Sequence, residues 1–128
     1  MDIEHIGINV KDPQAAARWY VENLGWKIIR QGGAPTHGRF LADTAGRGLL
    51  EVYCNTKAPI PDYFATDPVT LHVAIASGDV RADRQRLVEV GATPEGEVAV
   101  TPDGDEIAMV RDPWGLALQL VKRAKPLI

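Results

Sequence analysis

The chain opens on an alternating run of apolar and polar residues. In M-D-I-E-H-I-G-I-N-V (Met1 to Val10), Ile6, Ile8 and Val10 fall on one side of an extended strand and His5, Gly7 and Asn9 on the other. The first set can pack under a helix; the second opens a face with room beside the histidine. Asp12-Pro13 then carries the signature of a helix start, a capping carboxylate followed by proline in the first turn. Ala16, Trp19, Tyr20 and Leu24 recur at helical spacing and Gly25 supplies the stop. Trp19 and Tyr20 are therefore expected in the core. Further strands are predicted at Trp26–Gln31, His37–Asp43 and about Leu49–Cys54, broken by Gly32-Gly33 with Pro35 and by Ala45-Gly46-Arg47-Gly48. The order is β-α-β-β-β.

Three prolines, Pro59, Pro61 and Pro68, make the stretch from Asn55 to Pro68 irregular. Tyr63 and Phe64 within it are read as a staple to the body, with a flap over a pocket as the alternative. The pattern then restarts. V-T-L-H-V-A-I-A-S (Val69 to Ser77) is a second apolar, β-rich run with a histidine near its middle. With His72 laid on His5, Ile75 matches Ile8, Asp79 matches Asp12, Ala82 matches Ala15, Val88 matches Val21 and Glu89 matches Glu22. A helix follows at Asp79–Val90, ended by Gly91, then strands at Thr93–Thr101 and Glu106–Asp112. Asp112-Pro113-Trp114-Gly115 has the residue order of a type I turn, leading to a last strand at Leu116–Lys122 with Ala117, Gln119 and Val121 on one face. A repeat of this kind is read before any single motif. One domain is expected over 1–128, with module one at 1–55, a linker at 56–68 and module two at 69–124.

Composition narrows the partners. With 128 residues, 45% hydrophobic and 24% charged, the chain has the make-up of an ordinary globular domain. A net charge of −3 without a basic block argues against nucleic acid or an anionic membrane as partner. No apolar run approaches the roughly 20 residues of a membrane span, and charges stand where a signal peptide would be apolar. Cys54 is the single cysteine, so no internal disulfide forms, and a cytoplasmic location is expected.

The repeat brings chemistry into register. Glu51 lies in G-L-L-E-V-Y-C and Gln119 in G-L-A-L-Q-L-V, each at nearly the same interval after its module's histidine. Each module thus offers one imidazole from its first strand and one side-chain oxygen from its last. A lone histidine is more often a satisfied half-buried residue, but two at equivalent points of a repeat point to ligands. Glu51 sits in an otherwise apolar run, where a carboxylate needs a cation or hydrogen bonds. The Gln119 amide oxygen can bind an ion, or hydrogen-bond a substrate or a bound water. His37 is read as a surface residue of a hairpin strand. Arg39 is a solvated residue or a contact for an anionic substrate group. Cys54, on the face opposite Glu51, is read as core packing.

Two β-α-β-β-β modules with His, Glu, His and Gln at matching strand positions resemble the vicinal oxygen chelate superfamily of glyoxalase I, methylmalonyl-CoA epimerase, extradiol dioxygenases and the fosfomycin- and bleomycin-resistance proteins. A-A-R-W-Y-V-E-N-L-G-W is similar to the family's first helix and its glycine ending, and V-R-D-P-W-G-L-A-L-Q-L to its closing hairpin. The resemblance spans nearly the whole chain. It implies an α+β fold in which two βαβββ modules form a curled mixed sheet with a metal-binding cleft, often completed across a homodimer. It carries the ligand positions onto His5, Glu51, His72 and Gln119, the last being a departure, since glyoxalase I and the epimerase usually have glutamate there. A divalent ion (Ni, Zn, Co, Mn or Fe) is the implied cofactor, a small molecule chelating through vicinal oxygens the implied substrate. The reaction expected is lyase or isomerase chemistry by proton transfer, with Glu51 as general base. Two histidines and a carboxylate also suit an Fe(II) extradiol-type dioxygenase. A metal-free drug-binding or resistance protein is the rival outside enzymes.

Overall fold

A computed structural model describes residues 1–128. The chain divides into two compact units, Met1–Pro61 and Asp62–Ile128, and the division falls inside the proline-bearing stretch. Each unit carries an open, mixed four-stranded sheet and one helix, so the α+β, twice-βαβββ architecture is as expected.

In the first unit the elements are β1 (Ile6–Asn9), α1 (Pro13–Leu24), β2 (Lys27–Gln31), β3 (Arg39–Ala42) and β4 (Leu49–Tyr53). Strand order is β1-β4-β3-β2, with β1 parallel to β4 and the rest antiparallel. Asp12 caps α1 by accepting from the Ala15 N–H at 2.9 Å, and Gly25 ends it in the left-handed region at φ 70°. Such a cap stabilises a helix by about 1 kcal/mol. Ile8, Val10, Leu41, Leu50 and Val52 are all buried, as are Ala16, Ala17, Trp19 and Tyr20 of the helix. Tyr20 stacks on Trp26 with ring centroids 5.2 Å apart. Ile6, at the strand's start, remains 53% exposed, so only part of the apolar side of β1 packs as expected.

The second unit repeats the plan with β5 (Val73–Ala76), α2 (Val80–Glu89), β6 (Thr93–Val100), β7 (Glu106–Arg111) and β8 (Ala117–Lys122), in the order β5-β8-β7-β6. Asp79 caps α2 through the Ala82 N–H at 3.0 Å, as Asp12 does in α1. Val80 and Leu87 of the helix and Val110, Leu118 and Leu120 of the sheet are buried almost completely. Asp112 to Gly115 is a tight turn closed by a 2.9 Å bond from the Gly115 N–H to the Asp112 carbonyl.

Two expectations need correction. The run Val69–Ser77 is not strand throughout, because β5 begins only at Val73. The Asp67 side chain accepts from the Val69 N–H at 2.8 Å and its carbonyl from the Thr70 N–H at 2.9 Å, folding Val69 and Thr70 into a turn. That local bond outcompetes the β propensity of the run. For the first strand the overreach is similar, since within the run Met1 to Val10 β1 covers only Ile6–Asn9. Tyr63 and Phe64 form a short 3-10 turn (Tyr63–Ala65) that packs on the body of the second unit. Buried Arg111 donates from Nη1 to the Tyr63 carbonyl at 2.7 Å, and from Nε to Glu95 at 2.7 Å. The stapling role is the observed one. No helix is long and apolar enough to cross a membrane.

Candidate functional site

The face of the first sheet away from α1 holds His5, Gly7 and Asn9 of β1 and its approach, Glu51 and Tyr53 of β4, and Phe40 of β3. Their grouping follows from register: Gly7 pairs with Glu51, and Phe40 pairs with Glu51 from the other side. His5 stands one residue ahead of β1 and turns its ring onto the edge of Phe40, at 5.2 Å between centroids and 78° between planes. Its Nε2 lies 3.4 Å from Oε2 of Glu51. This is too long for a good N–H···O bond, which sits at about 2.7–3.2 Å. Two donors each about 2.1 Å from one tetrahedral ion would stand about 3.4 Å apart. The pair thus has the spacing of two ligands of one cation.

Room for such an ion comes from two glycines beside β4, Gly7 on β1 and Gly38 in the loop just ahead of β3. A Cβ built on Gly7 would come within 3.6 Å of Glu51 Oε2, and one on Gly38 within 3.5 Å of Oε1. Both carboxylate oxygens therefore face space that only a missing side chain leaves. Asn9 closes one end of the face, bonded twice to the backbone of Asn55 at 2.7 and 3.0 Å.

The electrostatics point the same way. Nδ1 of His5 is paired with the Glu4 carboxylate, and that hydrogen bond raises the imidazole pKa above its ordinary value. Desolvation opposes the rise, while the charges of Glu4 and Glu51 add to it. If Nδ1 carries the proton toward Glu4, Nε2 presents a lone pair to Glu51, a repulsive arrangement unless a proton or a metal ion lies between them.

The second unit repeats the placement. Ala74 pairs with Gln119 on β8, so His72 lies two residues before Gln119's partner, as His5 lies two residues before Gly7, the partner of Glu51. His72 is exposed just ahead of β5, and its Nδ1 lies 2.7 Å from the Pro68 carbonyl. A carbonyl only accepts, so Nδ1 carries the hydrogen and Nε2 is the free nitrogen of the neutral ring. Both histidines thus have Nδ1 engaged by an oxygen acceptor and Nε2 left over, which is how metal-binding histidines are usually held. Gln119 is half-buried on the same face as Ala74. Within neither unit do three or more His, Cys, Asp or Glu side chains gather as a complete metal cluster. What the structure brings together is the His5–Glu51 pair; His72 and Gln119 occupy the equivalent places of the other unit.

Other candidates fare differently. His37 is not on a strand: it has φ 49° in the loop before β3 and is half-buried. Arg39 is half-buried, and its Nη1 donates to the carbonyls of Gly32, His37 and Gly38 at 2.9–3.1 Å. It pins the loop that brings Gly38 beside Glu51. Cys54 sits one residue past β4 and is half-buried, at the margin of the core instead of within it. Sequence reasoning passed over Glu4, Phe40 and Tyr53. The signal for Tyr53 was available, since strand alternation puts it on the face of Glu51.

The sequence pattern of the Glyoxalase/Bleomycin resistance protein/Dioxygenase superfamily matches residues 2–120. The chain belongs to that superfamily. No match to a curated protein is found. Among solved structures, a glyoxalase family protein from Enterococcus faecalis is 26% identical, with a TM-score of 0.73 over 94% of this chain and 97% of that one. A glyoxalase I mutant from Zea mays is 25% identical with a TM-score of 0.74, over 94% of this chain but only 45% of that one. An antibiotic-binding protein from a Streptomyces strain shares the fold at 22% identity, with a TM-score of 0.72 and 97% of each chain covered. Proteins named for catalysis and for antibiotic binding thus share this fold.

Proposed function

We propose that this protein is a divalent-metal-dependent enzyme that moves a proton on a small substrate held through two adjacent oxygens, by lyase or isomerase chemistry. The observation that carries the reading is the His5 Nε2–Glu51 Oε2 spacing of 3.4 Å, in a hollow kept open by Gly7 and Gly38. His5, Glu51, His72 and Gln119 are the proposed donors, completed within one chain or by the second copy of a homodimer. Two neutral imidazoles, one carboxylate and one amide leave a divalent ion with a residual positive charge, suited to oxygen ligands. What such an ion supplies when bound is Lewis acidity toward a substrate carbonyl.

The chain's own residues do the rest. Glu4 and the Pro68 carbonyl fix the imidazole rings of His5 and His72 through Nδ1. Glu51 is the proposed general base, taking the proton from the carbon beside that carbonyl. Its side chain is 23% exposed and is bordered by two glycines, so it has space to turn from ligand to base. Gln119, uncharged, contributes an oxygen without further neutralising the ion.

Elemental analysis of protein purified without chelator, followed by titration with Ni²⁺ and Zn²⁺, tests this. The expected result is uptake of one equivalent per site, with activity supported by nickel, cobalt or zinc in the absence of oxygen. Bound iron together with oxygen uptake on a catechol would replace the reading with an extradiol-type dioxygenase. No metal uptake at all would leave a metal-free small-molecule binder.

A further inference from the structure

Tyr53 lies on this face outside the proposed ligand set. Its Cα pairs with that of Asn9, yet its ring reaches back along β1 and lies over Gly7. A Cβ on Gly7 would stand 3.1 Å from Tyr53 Cε1 and 3.6 Å from its hydroxyl oxygen, and 3.6 Å from Glu51 Oε2. The phenol and the carboxylate thus border the same small space that Gly7 leaves. Any side chain at position 7 would fill that space or push the ring aside. Gly38 extends the hollow past Glu51, its own Cβ position lying 3.5 Å from Oε1 and 3.9 Å from Tyr53 Cβ.

We propose that Tyr53 is a substrate-contacting residue, its hydroxyl donating a hydrogen bond to one of the two adjacent oxygens of a ligand seated beside Glu51. The role rests on the metal-centre reading above and assigns the contact that orients the ligand next to the base. A phenol suits it. It donates one hydrogen bond and brings no carboxylate or cationic group into the donor set. The ring is anchored by its packing on β1, so little orientational freedom is lost when the bond forms.

The test uses the full-length protein loaded with Co²⁺, whose visible spectrum reports its ligands, and acetohydroxamate as a probe that chelates through two adjacent oxygens. Tyr53→Phe keeps the ring and removes only the hydroxyl. A hydrogen bond worth about 0.5–1.5 kcal/mol predicts acetohydroxamate binding weakened by about twofold to tenfold. Co²⁺ affinity and the spectrum of the probe-free protein should be unchanged. Equal acetohydroxamate affinity in wild type and variant overturns the role of Tyr53 and leaves the metal centre standing. Loss of Co²⁺ affinity without a separate loss of probe binding overturns it as well, since Tyr53 would then only support the fold of the site. Absence of Co²⁺ uptake by the wild type, or failure of the loaded wild type to bind the probe, defeats the role too. Only the former also removes the metal centre.

Discussion

Gly115→Ala offers a sharp test of how the Tyr63–Ala65 segment is held. Gly115 has φ +98°, and a Cβ there would stand 2.5 Å from the Phe64 backbone nitrogen and 2.7 Å from two atoms of its ring. The ring could rotate; the backbone cannot easily retreat. Ala65 N–H is bonded to the Asp62 side chain, and the Tyr63 carbonyl is held by Arg111 at 2.7 Å. A left-handed backbone costs a residue with a Cβ about 1–2 kcal/mol, and overpacking at a site that cannot relax about 1–3 kcal/mol more. The expected loss of stability is therefore about 2–5 kcal/mol, a fall of roughly 10 °C or more in Tm. Urea and thermal melts followed by circular dichroism would measure it, with Gly33→Ala as control. Gly33 has open space around it and no left-handed φ, so that change should stay within about 0.5 kcal/mol of wild type. A Gly115→Ala protein as stable as the control would refute the docking of Phe64 on the turn.

Other outcomes follow from the same contacts. His72→Ala should lose most Ni²⁺ or Zn²⁺ affinity by calorimetry, about tenfold or more, and Gln119→Ala less; full affinity in the His72 variant would remove that residue from the centre. Metal uptake should weaken as pH falls through the imidazole range, because Glu4, and then Glu51, favour the protonated His5 that competes with the ion. Glu4→Gln should shift that loss to lower pH, and an unmoved profile would contradict the pairing. Asp105 has its pKa lowered by the Ala124 N–H, and next by Arg123. A folded pKa below the unfolded one means stabilisation that is present above the ordinary carboxylate range and lost as pH falls below about 5. Asp105→Asn should therefore flatten the acid side of the stability profile measured in urea, and an unchanged slope would count against these bonds.

Much of the fold was legible because the repeat is written in local chemistry. Asp12 and Asp79 each cap a helix, and Gly25 and Gly91 each take up positive φ after one. Strand alternation correctly separated Ile8 and Val10 from His5 and Gly7. Strand beginnings were less legible, since β propensity at Val69 to Leu71 says nothing of the Asp67 side chain that closes the turn. Arg39 illustrates a different limit. Its three carbonyl partners lie on a loop whose path depends on tertiary structure, so composition could only suggest solvent or an anion. Within the site, register made the pairing of His5 with Glu51 readable. The hollow between Gly7, Gly38 and Tyr53 needed side-chain positions, because an absent Cβ carries meaning only where neighbours crowd it.

The central claim is that His5 and Glu51, with His72 and Gln119, hold one divalent ion. Anomalous diffraction from crystals grown with Ni²⁺, recorded on both sides of the nickel edge, tests it most directly. The account predicts a single strong peak about 2.1 Å from His5 Nε2 and from a Glu51 oxygen, with Nε2 of a His72 in the same coordination shell. A peak elsewhere, or nickel bound without His5 and Glu51, would contradict it.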